Sequence, residues 1–184
     1  MKLLDGGLVD NYGLSGFSIA ILSAQRPYDP MLESQAVRVR RIMFLVVDAG
    51  RGLSGDWNNR LEGPNGPELI AAAADTAIDA SVRSSYTAFS ALLTEWTGKV
   101  RAWRCGLSAS DRARIGVPAD WKCGDIQTYV ERLSFDRLEP SRAAALEAVP
   151  TRLSLPPEQV DLTIESGAIA LRTSKTYQTF RKGL

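Results

Sequence analysis

The sequence predicts an α/β fold, because an apolar run of strand length lies among segments with the composition of helices. Residues 42–47 (IMFLVV) form that run, and such a run is typical of a strand in a parallel sheet covered on both faces. A long Ala-rich stretch begins at Glu68, and residues 156–158 (Pro-Pro-Glu) are a favourable helix start. The alternation of strands and helices indicates a single layered α/β domain over residues 1–184.

The other elements follow from local composition. In chain order we predict a strand at 2–4, a helix at 14–24, an irregular segment at 26–30, an unassigned segment at 31–40, the strand at 42–47, a Gly- and Pro-rich loop at 48–67, a helix of more than about 25 residues that frays near Gly98, a strand at 126–138, and helices at 140–148 and 157–172. The apolar stripe of the long helix comprises Ile78, Val82, Phe89, Leu92 and Trp96.

The composition excludes several functional classes. The chain has 22 Lys plus Arg against 21 Asp plus Glu, so no excess positive charge attracts nucleic acid. It has no histidine, which removes Ser-His-Asp and Cys-His catalysis and most catalytic zinc sites from this chain alone. No apolar window is long enough to span a bilayer, and Asp5 and Asp10 argue against a signal peptide. We expect no metal and no organic cofactor.

Two cysteines lie in similar tetrapeptides, Trp103-Arg-Cys-Gly106 and Trp121-Lys-Cys-Gly124, on either side of a polar stretch predicted to be a loop. A disulfide between Cys105 and Cys123 would close that loop if the compartment is oxidising. Two ordinary thiols are the alternative. A metal site is not favoured, because the only soft ligands are two cysteines and histidine is absent.

Asp5 is the leading candidate for chemistry. It follows the predicted strand at 2–4 and precedes two glycines, Gly6 and Gly7, which permit a tight turn that exposes the carboxylate. Such a carboxylate can act directly as the base for a serine hydroxyl, so no histidine is needed. The alternative from the residues alone is that Asp5 caps the following turn.

The stretch Leu3-Leu-Asp-Gly-Gly-Leu-Val-Asp-Asn-Tyr-Gly-Leu14 resembles the second signature of patatin-like phospholipases. The similarity extends through residues 47–50 (Val-Asp-Ala-Gly), the Ala-rich helix and residues 155–161 followed by Gly167. It implies a three-layer α/β/α fold, a lipid acyl hydrolase activity at a membrane surface, and a Ser-Asp dyad in which Asp5 is the aspartate. Gly6, Gly7 and Asn11 are then weak candidates for substrate contacts.

The chain departs from that family pattern in one respect. The Gly-rich oxyanion loop and the Gly-x-Ser-x-Gly elbow, which precede the aspartate in the family, have no counterpart before Asp5. We therefore expect the carboxyl-terminal portion of a longer hydrolase, incomplete at its amino terminus and inactive alone. A sheet cut in this way would expose an apolar edge and favour self-association. The bacterial cell envelope or a peripheral membrane location is favoured over the cytoplasm.

The alternative function is a non-catalytic interaction or scaffold module that keeps the fold without the nucleophile. Gly50-Arg-Gly-Leu-Ser-Gly55 matches a dinucleotide fingerprint, but residues 56–67 cannot begin the helix that such a site requires. Asp10 and Asn11 are expected to cap the helix that follows, and the alternative is that one of them orients Asp5. Asp48 is expected to have a turn role, and the alternative is a place in a site at the carboxyl end of its strand. Of the tryptophans, Trp57 is the candidate for a lipid interface and Trp96 for the core.

Overall fold

The computed structural model describes residues 10, 12–50, 61–150 and 152–182. Its elements are the helices α1 (Ser15–Leu22) and α2 (Glu33–Arg38), strand β1 (Arg41–Val47), helices α3 (Gly66–Cys105) and α4 (Ala109–Ile115), strand β2 (Gln127–Leu133), a 3₁₀ turn (Phe135–Arg137), and helices α5 (Pro140–Glu147), α6 (Pro157–Thr173) and α7 (Lys175–Arg181). The predicted strand at 2–4 lies outside the described residues.

The two strands pair in parallel. The N–H of Gln127 donates to the carbonyl of Arg40 at 2.9 Å, and the N–H of Asp48 donates to the carbonyl of Leu133 at 2.7 Å. The connection between them contains α3, and a helical crossover is what parallel pairing requires. The chain is thus a mixed helix and strand protein, which agrees with the α/β prediction at that level.

Several sequence predictions need correction. The long helix does not fray at Gly98 but continues to Cys105, because its apolar stripe extends through the fully buried Val100. The stretch between the cysteines is not all loop, since α4 lies within it. Ser108 caps that helix by accepting a hydrogen bond from the N–H of Asp111, and Gly116 ends it with φ 72°. The strand predicted at 126–138 ends at Leu133 and a 3₁₀ turn follows.

The chain divides into two compact units, and the boundary falls within β1, α3 and β2. Unit 1 comprises residues 1–44 and 82–130, and unit 2 comprises residues 45–81 and 131–184.

Unit 1 is built around an aromatic cluster. Phe17 of α1 and Phe44 of β1 have ring centroids 4.7 Å apart, and Phe89 of α3 lies 5.1 Å from Phe44. Trp96 is 1% exposed and donates its indole N–H to the carbonyl of Asp29 at 2.7 Å, so the prediction that it belongs to the core is confirmed. Leu93, one residue from the predicted Leu92, is the fully buried leucine of this helix turn.

A disulfide between Cys105 and Cys123 closes the segment that contains α4, with the two Cα atoms 4.9 Å apart. Beside it the indole N–H of Trp121 donates to the carbonyl of Val37 at 2.6 Å. The guanidinium of Arg104 lies 5.1 Å from the centre of the Trp121 ring. The disulfide thus lies in a cluster of polar and aromatic side chains at the end of α3.

Unit 2 contains the carboxyl-terminal ends of both strands and the helices α5, α6 and α7. Pro140 and Pro157 stand in the first turns of α5 and α6, where their missing N–H groups cost nothing. The hydroxyl of Ser174, between α6 and α7, accepts a hydrogen bond from the N–H of Tyr177 and begins the last helix. β1 is not covered on both faces as predicted, because Leu45 is 40% and Val47 is 71% exposed.

Candidate functional site

The residues that the sequence singled out for catalysis lie outside the described residues. They are Asp5, Gly6, Gly7 and Asn11, and the same holds for Trp57 and for most of the Gly50–Gly55 fingerprint. Their assigned roles stay predictions.

Asp10 has the capping role that the sequence predicts. Its two carboxylate oxygens accept hydrogen bonds from the N–H groups of Leu14 at 3.0 Å and Ser15 at 2.9 Å, at the start of α1. Desolvation of this carboxyl raises its pKa, but the hydrogen bonds from Ser15, Leu14 and Gly13 together outweigh that effect. The net result is a pKa below the ordinary value for aspartate.

The candidate site is a cavity within unit 2 at the carboxyl ends of β1 and β2. Its volume is about 310 Å³, which is in the range of small-molecule pockets. Its surface is almost entirely aliphatic and includes Leu45, Val47, Leu133, Leu138, Leu146 and Leu171. In open sheets with parallel strands, ligands bind at this edge, where the loops after the strands diverge.

Three segments of unit 2 enclose the cavity. The ends of β1 and β2 form one side, and the 3₁₀ turn and α5 follow directly after β2. α6 forms the other side with Gly167, which has no side chain, and Ala170, whose side chain is a single methyl group. A Cβ added at Gly167 would meet no atom within 4 Å. The small residues of α6 therefore account for part of the cavity volume.

The side chain of Asp48 has the turn role that the sequence predicts. Its Oδ1 accepts a hydrogen bond from the N–H of Gly50 at 2.9 Å, and its Oδ2 lies 3.7 Å from the guanidinium of Arg132. A Cβ at position 50 would lie 2.8 Å from that Oδ1, so a larger residue there would displace the Asp48 carboxylate from this hydrogen bond. Asp48 also lines the cavity, and among the described lining residues it is the one with a carboxylate.

Three hydroxyl groups line the cavity beside Asp48. Ser134 donates its proton to the carboxylate of Asp136, and Thr163 donates its proton to the carbonyl of Gln159 at 2.8 Å. Ser166 is 2% exposed, and its Oγ accepts a hydrogen bond from Nη1 of Arg142 at 3.2 Å. The polar part of the lining is thus small and each group has defined partners.

Both the side chain and the backbone N–H of Arg142 make hydrogen bonds. Its guanidinium also donates to the carboxylate of Glu165 at 3.0 Å. It lies in the first turn of α5, where the Glu139 carboxylate caps the helix by accepting from the N–H groups of Ser141 and Arg142. The hydroxyl of Ser141 and these N–H groups lower the pKa of Glu139, so the cap is ionised at neutral pH.

Comparisons of the chain with protein-family models, with curated proteins and with solved structures found no match. The resemblance to patatin-like phospholipases therefore stays an expectation from the sequence.

Among the described residues, no helix combines the length and the apolar character that crossing a bilayer requires. The same residues contain no group of three or more His, Cys, Asp or Glu side chains arranged as metal ligands.

The sequence pointed to Asp48 but missed Ser166 and Arg142. Both belong to helices that were predicted correctly, so only their side-chain contacts were unforeseen. One signal was available: Gly167 is a small residue inside a helical pattern, and such a glycine often marks a close approach or an open space.

Proposed function

We propose that the chain is part of a lipid acyl hydrolase, in which the cavity of unit 2 holds the acyl chain and Asp5 is the catalytic base. The observation that carries the proposal is the aliphatic lining of the cavity at the carboxyl ends of two parallel strands. Burial of a methylene group in such surroundings is favourable by about 0.8 kcal/mol, so an alkyl chain is the ligand that gains most.

The form of the cavity supports an acyl chain over other apolar ligands. Among the described lining residues Phe135 is the one aromatic, and leucine, valine and alanine provide the other apolar side chains, so flat aromatic ligands find little to stack on. The carboxylate of Asp48 lies against Arg132 and Gly50 and is therefore satisfied without a ligand. The lining therefore favours a ligand that is mostly apolar and carries one small polar group at its end.

The catalytic part of the proposal rests on the sequence. Asp5 in the Asp-Gly-Gly motif would accept the proton of a serine nucleophile, a mechanism that suits a chain without histidine. The resemblance also implies that β1 and β2 belong to a three-layer α/β/α sheet and that the substrate is a phospholipid or neutral lipid ester at a membrane surface.

The acyl-chain part is tested with a fatty-acid analogue whose fluorescence rises in apolar surroundings. The wild-type chain should bind it with saturation. Gly167→Leu should weaken binding by at least tenfold, because the new side chain fills the cavity. Gly98→Leu adds the same side chain at an exposed position of α3 that is not among the residues lining the cavity, and it should leave binding unchanged. Equal binding by wild type and Gly167→Leu would contradict the assignment of the cavity.

The catalytic part is tested by hydrolysis of a short-chain nitrophenyl ester with the full gene product. Asp5→Asn should reduce kcat by at least a hundredfold, since general-base catalysis contributes about that factor or more. Asp10→Asn changes the aspartate five positions later in the sequence, which caps α1, and should retain the activity. Undiminished hydrolysis by Asp5→Asn would show that Asp5 is not the catalytic base. Saturable acyl binding by a full gene product without hydrolysis would favour the non-catalytic module.

A further inference from the structure

We propose that Ser166 is the hydrogen-bond donor that recognises the carbonyl oxygen of the acyl ligand in the cavity of unit 2. This inference rests on the proposed function, because it names which atom of an acyl ligand the cavity selects. It adds a specificity-determining residue on α6 that is separate from Asp5.

The hydrogen bonding of Ser166 sets it apart from other hydroxyl groups in the helices. A serine or threonine in a helix commonly donates its proton to the carbonyl four residues before it, as Thr163 does to Gln159 and Thr173 does to Ile169. Within the described residues, the single hydrogen bond of the Ser166 hydroxyl is the one it accepts from Arg142. Its own proton is therefore available to an acceptor in the cavity that it lines.

Because Ser166 is buried, its unused hydroxyl proton affects which ligand the cavity binds. Ser166 is 2% exposed, and a buried donor without an acceptor destabilises the site, because it has lost its hydrogen bonds to water. A ligand that supplies an acceptor removes that destabilisation. The positive charge of Arg142 on the Ser166 oxygen also strengthens the hydroxyl as a donor, because a hydrogen bond accepted from a charged group polarises the next bond in the series.

The other polar lining groups cannot donate a hydrogen bond to the ligand in the observed arrangement. The protons of Ser134 and Thr163 are already donated to Asp136 and to the backbone, and Asp48 as a carboxylate is an acceptor only. Ser166 therefore selects a ligand that brings an acceptor, and on an acyl chain that acceptor is the carbonyl oxygen.

The experiment compares two ligands that differ in that atom alone. One is a long-chain methyl ketone, which a hydrolase cannot cleave, and the other is the planar alkene in which a methylene group (=CH2) replaces the carbonyl oxygen. Both are measured by displacement of the fluorescent fatty-acid analogue from the whole chain. The ratio of their two dissociation constants, compared between protein variants, cancels the different hydration of the ligands.

We expect Ser166→Ala to shift this ratio about tenfold against the ketone, the size of one net hydrogen bond. Thr163→Val removes a lining hydroxyl whose proton is already engaged and should leave the ratio unchanged. An unchanged ratio in Ser166→Ala, with both ligands bound, would overturn the role of Ser166 and leave the acyl cavity intact. Failure of both ligands to displace the analogue would overturn the acyl cavity and this inference together.

Discussion

Arg104 donates a hydrogen bond to Oδ1 of Asp125 at 2.5 Å, from a side chain that has no solvent exposure. The same guanidinium donates to the carbonyls of Val39 at 2.9 Å and Lys122 at 3.0 Å. It thereby connects the end of α3 to the segments that precede both strands within unit 1. Burial lowers the pKa of Arg104, while the carboxylate of Asp125 acts in the opposite direction.

Asp125→Ala should therefore lower the free energy of unfolding by about 3 kcal/mol, because it leaves a buried guanidinium without its counter-ion. The control is Asp120→Ala. Asp120 is 77% exposed and pairs at 3.3 Å with Arg40, so its loss should cost less than about 1 kcal/mol. Urea unfolding at pH 7 measures both. Equal costs for the two variants would show that burial adds nothing to the Arg104–Asp125 pair.

The disulfide predicts a second change in stability. Cys105 and Cys123 are 18 residues apart, and a bridge over a loop of that length stabilises a protein by about 3 kcal/mol through the entropy of the unfolded chain. A reductant should lower the urea midpoint of the wild type accordingly. The double variant Cys105→Ala, Cys123→Ala should unfold at one midpoint with and without reductant. A reductant-insensitive wild type would indicate that the bridge contributes nothing in solution.

Gly98 provides a third test, since it lies inside α3 at an exposed position. A Cβ there would meet no atom within 4 Å, so alanine fits without strain. Gly98→Ala should raise the free energy of unfolding by about 0.5–1 kcal/mol, the difference in helix propensity. Gly116→Ala is the contrasting variant, because φ 72° at that position disfavours any other residue, and it should be destabilising. A destabilising Gly98→Ala would mean that the helix does not continue through this residue in solution.

The sequence allowed the prediction of elements whose signal is local. The apolar run of β1, the Ala-rich α3 and the prolines that begin α5 and α6 all determine structure within a few residues. α4 was not predicted although Ser108 and Gly116 are start and stop signals, because this short helix buries none of its residues and so lacks the apolar periodicity of a helix. Local patterns do predict caps and turns, and Asp10 and Asp48 behave as expected.

Contacts between distant residues were not predictable in the same way. The Arg104–Asp125 pair joins residues 21 apart, and the Ser166–Arg142 hydrogen bond joins residues 24 apart. Neither produces a periodic pattern in the sequence. The cavity likewise depends on three segments of unit 2 meeting, so the residues that line it could be named only from the structure. Asp5 is the reverse case, because its motif is explicit in the sequence and its position lies outside the described residues.

Asp10 provides the last prediction, which concerns pH. Its carboxylate caps α1, and its pKa in the folded protein is lowered from the ordinary 3.8. A lowered folded-state pKa means that the stabilisation is fully present above the unfolded-state value and is lost as the pH falls through the folded-state value. Asp10→Ala should therefore cost about 1 kcal/mol at pH 7, the usual contribution of a capping side chain.

The same variant should cost less as the pH falls from 3.8 toward the lower pKa of the folded protein, below which the carboxyl is protonated in both states. Asp10→Asn keeps a capping oxygen that does not titrate, so its free energy of unfolding at neutral pH should stay close to that of the wild type. Urea unfolding of the three proteins at pH 7 and at several lower values measures the difference. A cost of Asp10→Ala that is the same at every pH would show that ionisation of this carboxyl does not contribute to the cap.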